Sequence, residues 1–198
     1  MLCLNLVVAG VCLAAEPEKP PYDVPQPKGW GKESIALPPA FAPKMAWKGE
    51  EQLRFAPDWL KADSDTFFSY ALFFWLPADQ KVDKDTVEKE LLTYYQGLAT
   101  AVLRGKKQEA DVSAFALTLK ESAAEKRATG EAVSAYAGEL KWTEPFTTGK
   151  AQTLRLDVHI WHSDKHKRHC VFICASPQAE DAAVWKALRE IREGCKTP

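Results

Sequence analysis

The chain has 198 residues, of which 46% are hydrophobic, and 26 basic against 27 acidic residues leave a formal net charge of -1. This near balance gives no sign of a nucleic-acid-binding face. A domain of this size buries about 70% of its unfolded surface, so it needs neither a metal nor a disulfide to fold. The composition therefore predicts one ordinary globular domain with a tail.

The first 15 residues have the pattern of a secretory signal peptide. Residues 2–15 carry no charge and end in two alanines directly before Glu16, and this apolar run is too short to span a membrane. The basic residues that usually precede such a run are missing. We predict cleavage after Ala15 and export to the periplasm or the extracellular space, with no transmembrane segment in the mature chain.

Proline dominates the next segment, residues 16–45. Eight prolines fall between Glu16 and Pro43, and hydrophobic periodicity is almost absent. Such a composition is typical of an extended polyproline segment. We therefore predict an extended Pro-rich arm that tethers a single α+β domain formed by residues 46–198. The alternative is that the arm is a peptide ligand for a partner.

Several segments of the domain have the composition of strands. The later strand of a hairpin near the C-terminus is apolar at every position from Cys170 to Ala175, which is typical of a strand covered on both faces. The earlier strand of that hairpin alternates between apolar and polar residues. The predicted strands are 52–55 (an edge strand), 66–76, 112–120, 133–142, 153–162 and 168–176.

Two helices are predicted. Residues 85–104 repeat apolar side chains at helical spacing, with Asp85 as the N-terminal cap. The last helix is expected over 176–194, with Ser176 as its cap and Pro177 at the first helical position. This order of elements predicts an α+β fold in which an antiparallel sheet of five or six strands carries both helices.

The register of the hairpin formed by 153–162 and 168–176 stays open, because its turn lacks an Asn-Gly or Asp-Gly pair. With a loop of two or four residues, His159 lies opposite Cys170 on the polar face. With a three-residue loop, Cys170 faces the core, because a slip of one residue exchanges the faces of a strand.

Export leaves three cysteines in the mature chain. Cys170 and Cys174 lie roughly 13 Å apart if both are on one strand, which is beyond disulfide reach. The apolar face of the last helix returns along the preceding strand and brings Cys195 nearer to Cys170 than to Cys174. We predict a Cys170–Cys195 disulfide, with Cys174 buried and free.

The hairpin also offers candidates for catalysis. Cys170 would be the nucleophile, His159 the base and Asp157 the orienting group. Asp157 and His159 share a face but are about 6.6 Å apart along the strand, which is far for orientation. This site also requires a free Cys170, which conflicts with the disulfide.

A metal site is the second candidate, with His162, His166 and His169 as ligands. A zinc site needs three or four ligands around one point. In the register with an even loop, His162 and His169 are expected on opposite faces. His162 and His166 are therefore the pair expected to reach one ion, and the place of His169 stays open. Their spacing matches no established zinc pattern, so structural or surface histidines are favoured.

Motifs for catalysis are missing: the sequence has no Gly-rich phosphate loop, Gly-x-Ser-x-Gly elbow or His-Glu-x-x-His motif. The basic clusters at 165–168 and 186–192 are predicted to be solvated faces. We therefore expect an exported, non-catalytic binding or interaction module of the cell envelope, without a cofactor. Its partner would be an envelope protein or a small ligand, and not nucleic acid. The alternative is a small hydrolase or metal-binding protein that uses the His-rich hairpin 157–170.

Overall fold

A computed structural model describes residues 20–109, 111–123, 127 and 130–197. The predicted signal peptide lies outside the described residues. These residues form seven strands and two α-helices, with a short 3-10 helix at Val112–Ala114. The strands are β1 Gly31–Leu37, β2 Gly49–Phe55, β3 Tyr70–Pro77, β4 Ala116–Glu121, β5 Ser134–Thr143, β6 Ala151–Ser163 and β7 Arg168–Ser176, and the helices are α1 Lys84–Gly105 and α2 Ala183–Gly194.

All seven strands join one antiparallel sheet in the order β1-β2-β3-β7-β6-β5-β4. The α+β class and the antiparallel sheet with two helices are confirmed, whereas the strand number is seven rather than five or six. Strands β3 and β7 lie at the centre of the sheet and are buried along almost their whole length. A central strand covered on both faces needs apolar residues at consecutive positions, which explains why neither strand alternates.

The sheet separates two apolar cores. On one face, α1 packs through Val87, Leu91 and Tyr95 on the leucines and aromatics of the sheet. On the other face, α2 packs through Val184, Leu188 and others on the opposite side of β3 and β7. Both helices therefore pack on the sheet, one on each face.

Residues 20–45 differ from the extended arm that the prolines predict. They contribute β1, which pairs with β2 along its whole length, and Tyr22 and Val24 are 5% exposed in the core beneath α2. Met45 is 2% exposed in the core beneath α1. The prolines flank β1 instead of interrupting it, so they limit the strand without preventing it. This segment supplies the seventh strand.

Helix α1 begins slightly earlier, and helix α2 later, than the caps predicted from the sequence. Oδ1 of Asp83, rather than Asp85, accepts a hydrogen bond from the Thr86 backbone at 2.9 Å, and α1 begins at Lys84. Ser176 ends β7 and its hydroxyl lies 2.7 Å from that of Ser69, so it does not cap α2. The backbone of Ser176 is held by the sheet, and α2 starts only at Ala183.

The β6–β7 hairpin has a four-residue loop, 164–167, between Ser163 and Arg168. It follows the even-loop alternative, so Asp157, His159 and Cys170 share the face that α2 covers. The exact partner differs from the prediction: His159 pairs with Phe172, and Cys170 pairs with Trp161.

Candidate functional site

The three histidines proposed for a metal site are partly brought together. His162 and His169 are directly paired across the hairpin, with ring centroids 4.9 Å apart. Their expected placement on opposite faces is therefore wrong, because paired residues of antiparallel strands point to the same face. His166 lies in the turn against the Trp75 ring, with centroids 5.7 Å apart.

These histidines are held by protein contacts. Nε2 of His169 lies 3.2 Å from the carbonyl oxygen of Ala78, and Nε2 of His162 lies 3.6 Å from Oδ1 of Asp164. In the part of the chain that the structure describes, no three His, Cys, Asp or Glu side chains group in a way that could hold a metal ion.

All three cysteines of the described chain are buried free thiols. Cys170 and Cys195 lie in the same core, and Cys195 is close enough to contribute to the raised pKa of Cys170, although burial is the larger cause. No disulfide joins them in this structure, and the Cys170–Cys195 bridge stays a prediction. Cys174 is fully buried, as expected of the unbridged cysteine.

Of the three residues proposed for catalysis, Asp157 and His159 are in contact, whereas Cys170 is buried and unreactive. Nε2 of His159 lies 3.3 Å from Oδ1 of Asp157, so these two side chains meet despite their spacing along the strand. Cys170 is 0% exposed, and burial raises its pKa far above the usual value. A thiol in this state is a poor nucleophile, because the thiolate is the reactive form.

Two arginines of α2 complete the cluster around Asp157. Nη1 of Arg192 donates to Oδ2 of Asp157 at 2.8 Å, and Nε of Arg189 donates to the same oxygen at 3.3 Å. Arg192 is 6% exposed and His159 is 7% exposed. The cluster therefore joins β6 to α2 through charged groups at the edge of the core.

The charge of Asp157 follows from the groups that surround it. Nη1 of Arg192 lies 2.9 Å from Nε2 of His159, and a guanidinium can only donate hydrogen bonds. Nε2 of His159 also lies 3.3 Å from Oδ1 of Asp157, so Arg192 and Asp157 both contact this ring nitrogen. Burial raises the pKa of Asp157, but His159, Arg192 and Arg189 outweigh it and lower this pKa to about 2. Asp157 is thus a carboxylate at neutral pH.

An open cleft of about 630 Å³ lies beside this cluster. Its floor is the part of β4, β5 and β6 that α2 leaves uncovered, and α2 forms its wall; we call it the α2 cleft. Basic and acidic side chains line it in equal number. The basic ones are Lys120, Arg155, Arg189 and Arg192, and the acidic ones are Glu139, Asp157, Glu180 and Glu193.

The sequence interpretation missed Arg189 and Arg192 by assigning residues 186–192 to a solvated face. For Arg192 that assignment is wrong, since it is 6% exposed. A spacing of three residues places both arginines on one side of a helix, and Arg192 directly follows Ile191 of the apolar stripe. This spacing was the available signal, but nothing in the sequence shows that Asp157 lies opposite.

Comparison with protein-family models, with curated proteins and with solved structures finds no match for this chain. Neither of the two α-helices among the described residues is long and apolar enough to cross a membrane. The functional argument therefore depends on the chemistry of the α2 cleft.

Proposed function

We propose that this protein is an exported, non-catalytic binding module that holds a small zwitterionic ligand, such as an amino acid or a short peptide, in the α2 cleft. The observation that carries the proposal is the balanced set of charges in a cleft of about 630 Å³. This volume lies within the range of small-molecule sites. Charges of both signs complement a ligand that itself carries both signs.

Binding is favoured over catalysis by the state of the cluster. Nε2 of His159 contacts Nη1 of Arg192 at 2.9 Å and Oδ1 of Asp157 at 3.3 Å, and His159 is 7% exposed, so protein groups occupy this nitrogen. The pKa of Asp157 lies too low for a general base near neutral pH. Groups that are fixed and fully hydrogen-bonded are suited to positioning a ligand.

Arg189 is the residue expected to contact the ligand. Its side chain is 40% exposed, and its Nε rests on Asp157. Its guanidinium also lies 5.5 Å from the centroid of the Trp185 ring. Asp157 and Trp185 therefore orient a guanidinium at the cleft wall, where its terminal nitrogens can receive a carboxylate.

The proposal is tested by isothermal titration calorimetry with amino acids and dipeptides, each compared with its amide and its N-acetyl derivative. We expect a zwitterion to bind more tightly than either singly charged derivative. Arg189→Met should weaken that binding about tenfold or more, because it removes a charge-assisted hydrogen bond.

Lys186→Met is the matched control, because Lys186 lies on the same helix, is 84% exposed and does not line the cleft. It should leave the affinity unchanged. Equal binding of the zwitterion and its derivatives, or an equal effect of both substitutions, would contradict the proposal. Export itself predicts a mature protein that begins at Glu16, and N-terminal sequencing that finds residues 1–15 retained would contradict it.

A further inference from the structure

A second pocket lies on the opposite face of the sheet, between α1 and the first two strands of the sheet, β1 and β2. Its volume is about 320 Å³. Seven of its lining residues are aromatic, among them Phe41, Phe55, Trp59 and Tyr94. The rings of Phe55 and Trp59 stack with centroids 4.5 Å apart. We call this site the aromatic pocket.

The charge that lines the aromatic pocket is negative. Glu33 is the charged residue of its lining, which includes no lysine or arginine among the described residues. Glu51 lies next to the lining, because it pairs across the strands with Ile35, a lining residue, and shares a strand face with Leu53, another lining residue. A ligand in this pocket therefore meets the Glu33 carboxyl and aromatic rings, with the Glu51 carboxyl directly behind the lining.

Glu51 is in an unusual environment for a carboxyl group. It is 0% exposed, and among the described residues neither carboxyl oxygen makes a hydrogen bond of good geometry, although the Tyr94 hydroxyl is close enough to interact with it. Burial raises its pKa to about 8, Glu33 adds to the rise, and the nearby Tyr94 hydroxyl opposes it. A buried polar group without a partner is costly, and a ligand that donates a hydrogen bond removes that cost.

We propose that the aromatic pocket binds an organic amine whose apolar body packs among the aromatic rings and whose ammonium group reaches the Glu51 carboxylate on the Tyr94 side. Aromatic faces attract cations, and Glu33 adds a second negative charge. Tyr94 both lines the pocket and interacts with Glu51, so it connects the apolar part of the site to the carboxyl group. This site is separate from the α2 cleft, and its function does not depend on the function proposed there.

Binding of the ammonium is coupled to a proton. Glu51 carries a proton at neutral pH, whereas its contact with an ammonium ion requires the carboxylate. Binding therefore releases the Glu51 proton to solvent. An apolar molecule that fills the same pocket without reaching Glu51 releases none.

The test is calorimetry of the full chain near neutral pH with phenethylamine, its uncharged analogue propylbenzene and its acidic analogue hydrocinnamate, in buffers of different ionisation enthalpy. We expect phenethylamine to bind at least about tenfold more tightly than either analogue. Its binding should release about one proton per ligand.

Glu51→Gln should weaken phenethylamine binding about tenfold or more and abolish proton release, while propylbenzene binding is unchanged. Glu121→Gln, at an exposed carboxyl on β4, is the control and should change neither. Absence of phenethylamine binding, equal binding of propylbenzene, or full affinity in Glu51→Gln would overturn the proposal. If Glu51→Gln does not fold, proton release by the unmodified chain decides: a value near zero overturns the proposal.

Discussion

Asp157 and Glu51 are carboxyl groups on opposite faces of the same sheet, and their surroundings shift their pKa values in opposite directions. The side chain of Asp157 is 23% exposed, whereas Glu51 is 0% exposed. Asp157 receives hydrogen bonds from two arginines, at 2.8 and 3.3 Å, and lies beside His159. Among the described residues neither oxygen of Glu51 makes a hydrogen bond of good geometry, and the nearby Tyr94 hydroxyl does not offset the effect of burial. The pKa of Asp157 falls to about 2, whereas that of Glu51 rises to about 8.

The difference shows that the charged donors around a carboxyl can outweigh the effect of burial on its pKa. Burial raises the pKa of both groups, and for both it is the largest single effect. Only at Asp157 do nearby cations outweigh it. One face therefore holds a fixed carboxylate that organises arginines, and the other holds a neutral carboxyl suited to a ligand that brings its own donor.

The largest expected effect is the loss of the Asp157 charge. Asp157→Asn leaves Arg192, which is 6% exposed, without its carboxylate. We expect a loss of about 3 kcal/mol in the free energy of unfolding at neutral pH, because a buried charge loses its partner. Urea unfolding followed by circular dichroism measures this loss.

Asp164→Asn is the control, because Asp164 lies in the hairpin loop with a fully exposed side chain. It should change the free energy of unfolding by less than about 0.5 kcal/mol. Equal effects of the two substitutions would mean that the Asp157 cluster is not a structural centre. The Asp157 contribution is present above its ordinary pKa of 3.8 and is lost as pH falls towards about 2.

The second expected effect concerns Glu51, whose contribution to stability is lost as pH rises rather than as pH falls. Because the pKa of Glu51 is higher in the folded state, the unfolded state loses its proton first. Stability should then fall as pH rises from about 4.5 to about 8. Glu51→Gln removes this loss, and we expect it to raise the free energy of unfolding by a few kcal/mol above pH 8 and by little in acid. Urea unfolding across this pH range measures the difference.

Glu121→Gln again serves as the control and should show no such dependence on pH. A destabilisation by Glu51→Gln at every pH would mean that the carboxyl group has a stabilising partner. That result would remove the contrast between the two faces.

Most elements of the fold could be predicted because their patterns are local. The period of two in residues 153–162 and the helical stripe of residues 85–104 correspond to β6 and α1. Ser176 and Pro177 also form a local pattern, but the pairing of Ser176 with Arg155 of β6 outweighs it. Strand β1 was missed because the prolines on either side of it suggested an extended arm, while the β2 strand that pairs with it lies further along the chain.

The candidate sites could be predicted only in part, because each joins elements that are distant in sequence. Asp157 and His159 were identified on one strand, but their arginine partners come from α2. Glu51 lies two residues before Leu53 and four before Phe55. These positions share one face of a strand, so the pattern indicates a carboxyl on an inward face. The period of two alone does not show whether a hydrogen-bond donor lies near the Glu51 carboxyl.

The central claim is that two carboxyl groups on opposite faces of one sheet differ in charge near neutral pH, with Asp157 ionised and Glu51 neutral. Carboxyl-carbon NMR titration of protein labelled at Asp and Glu tests it directly, with Asp157→Asn and Glu51→Gln used to assign the signals. We predict that Glu51 titrates near pH 8 and Asp157 near pH 2. Titration of both groups at ordinary values near pH 4 would contradict the account.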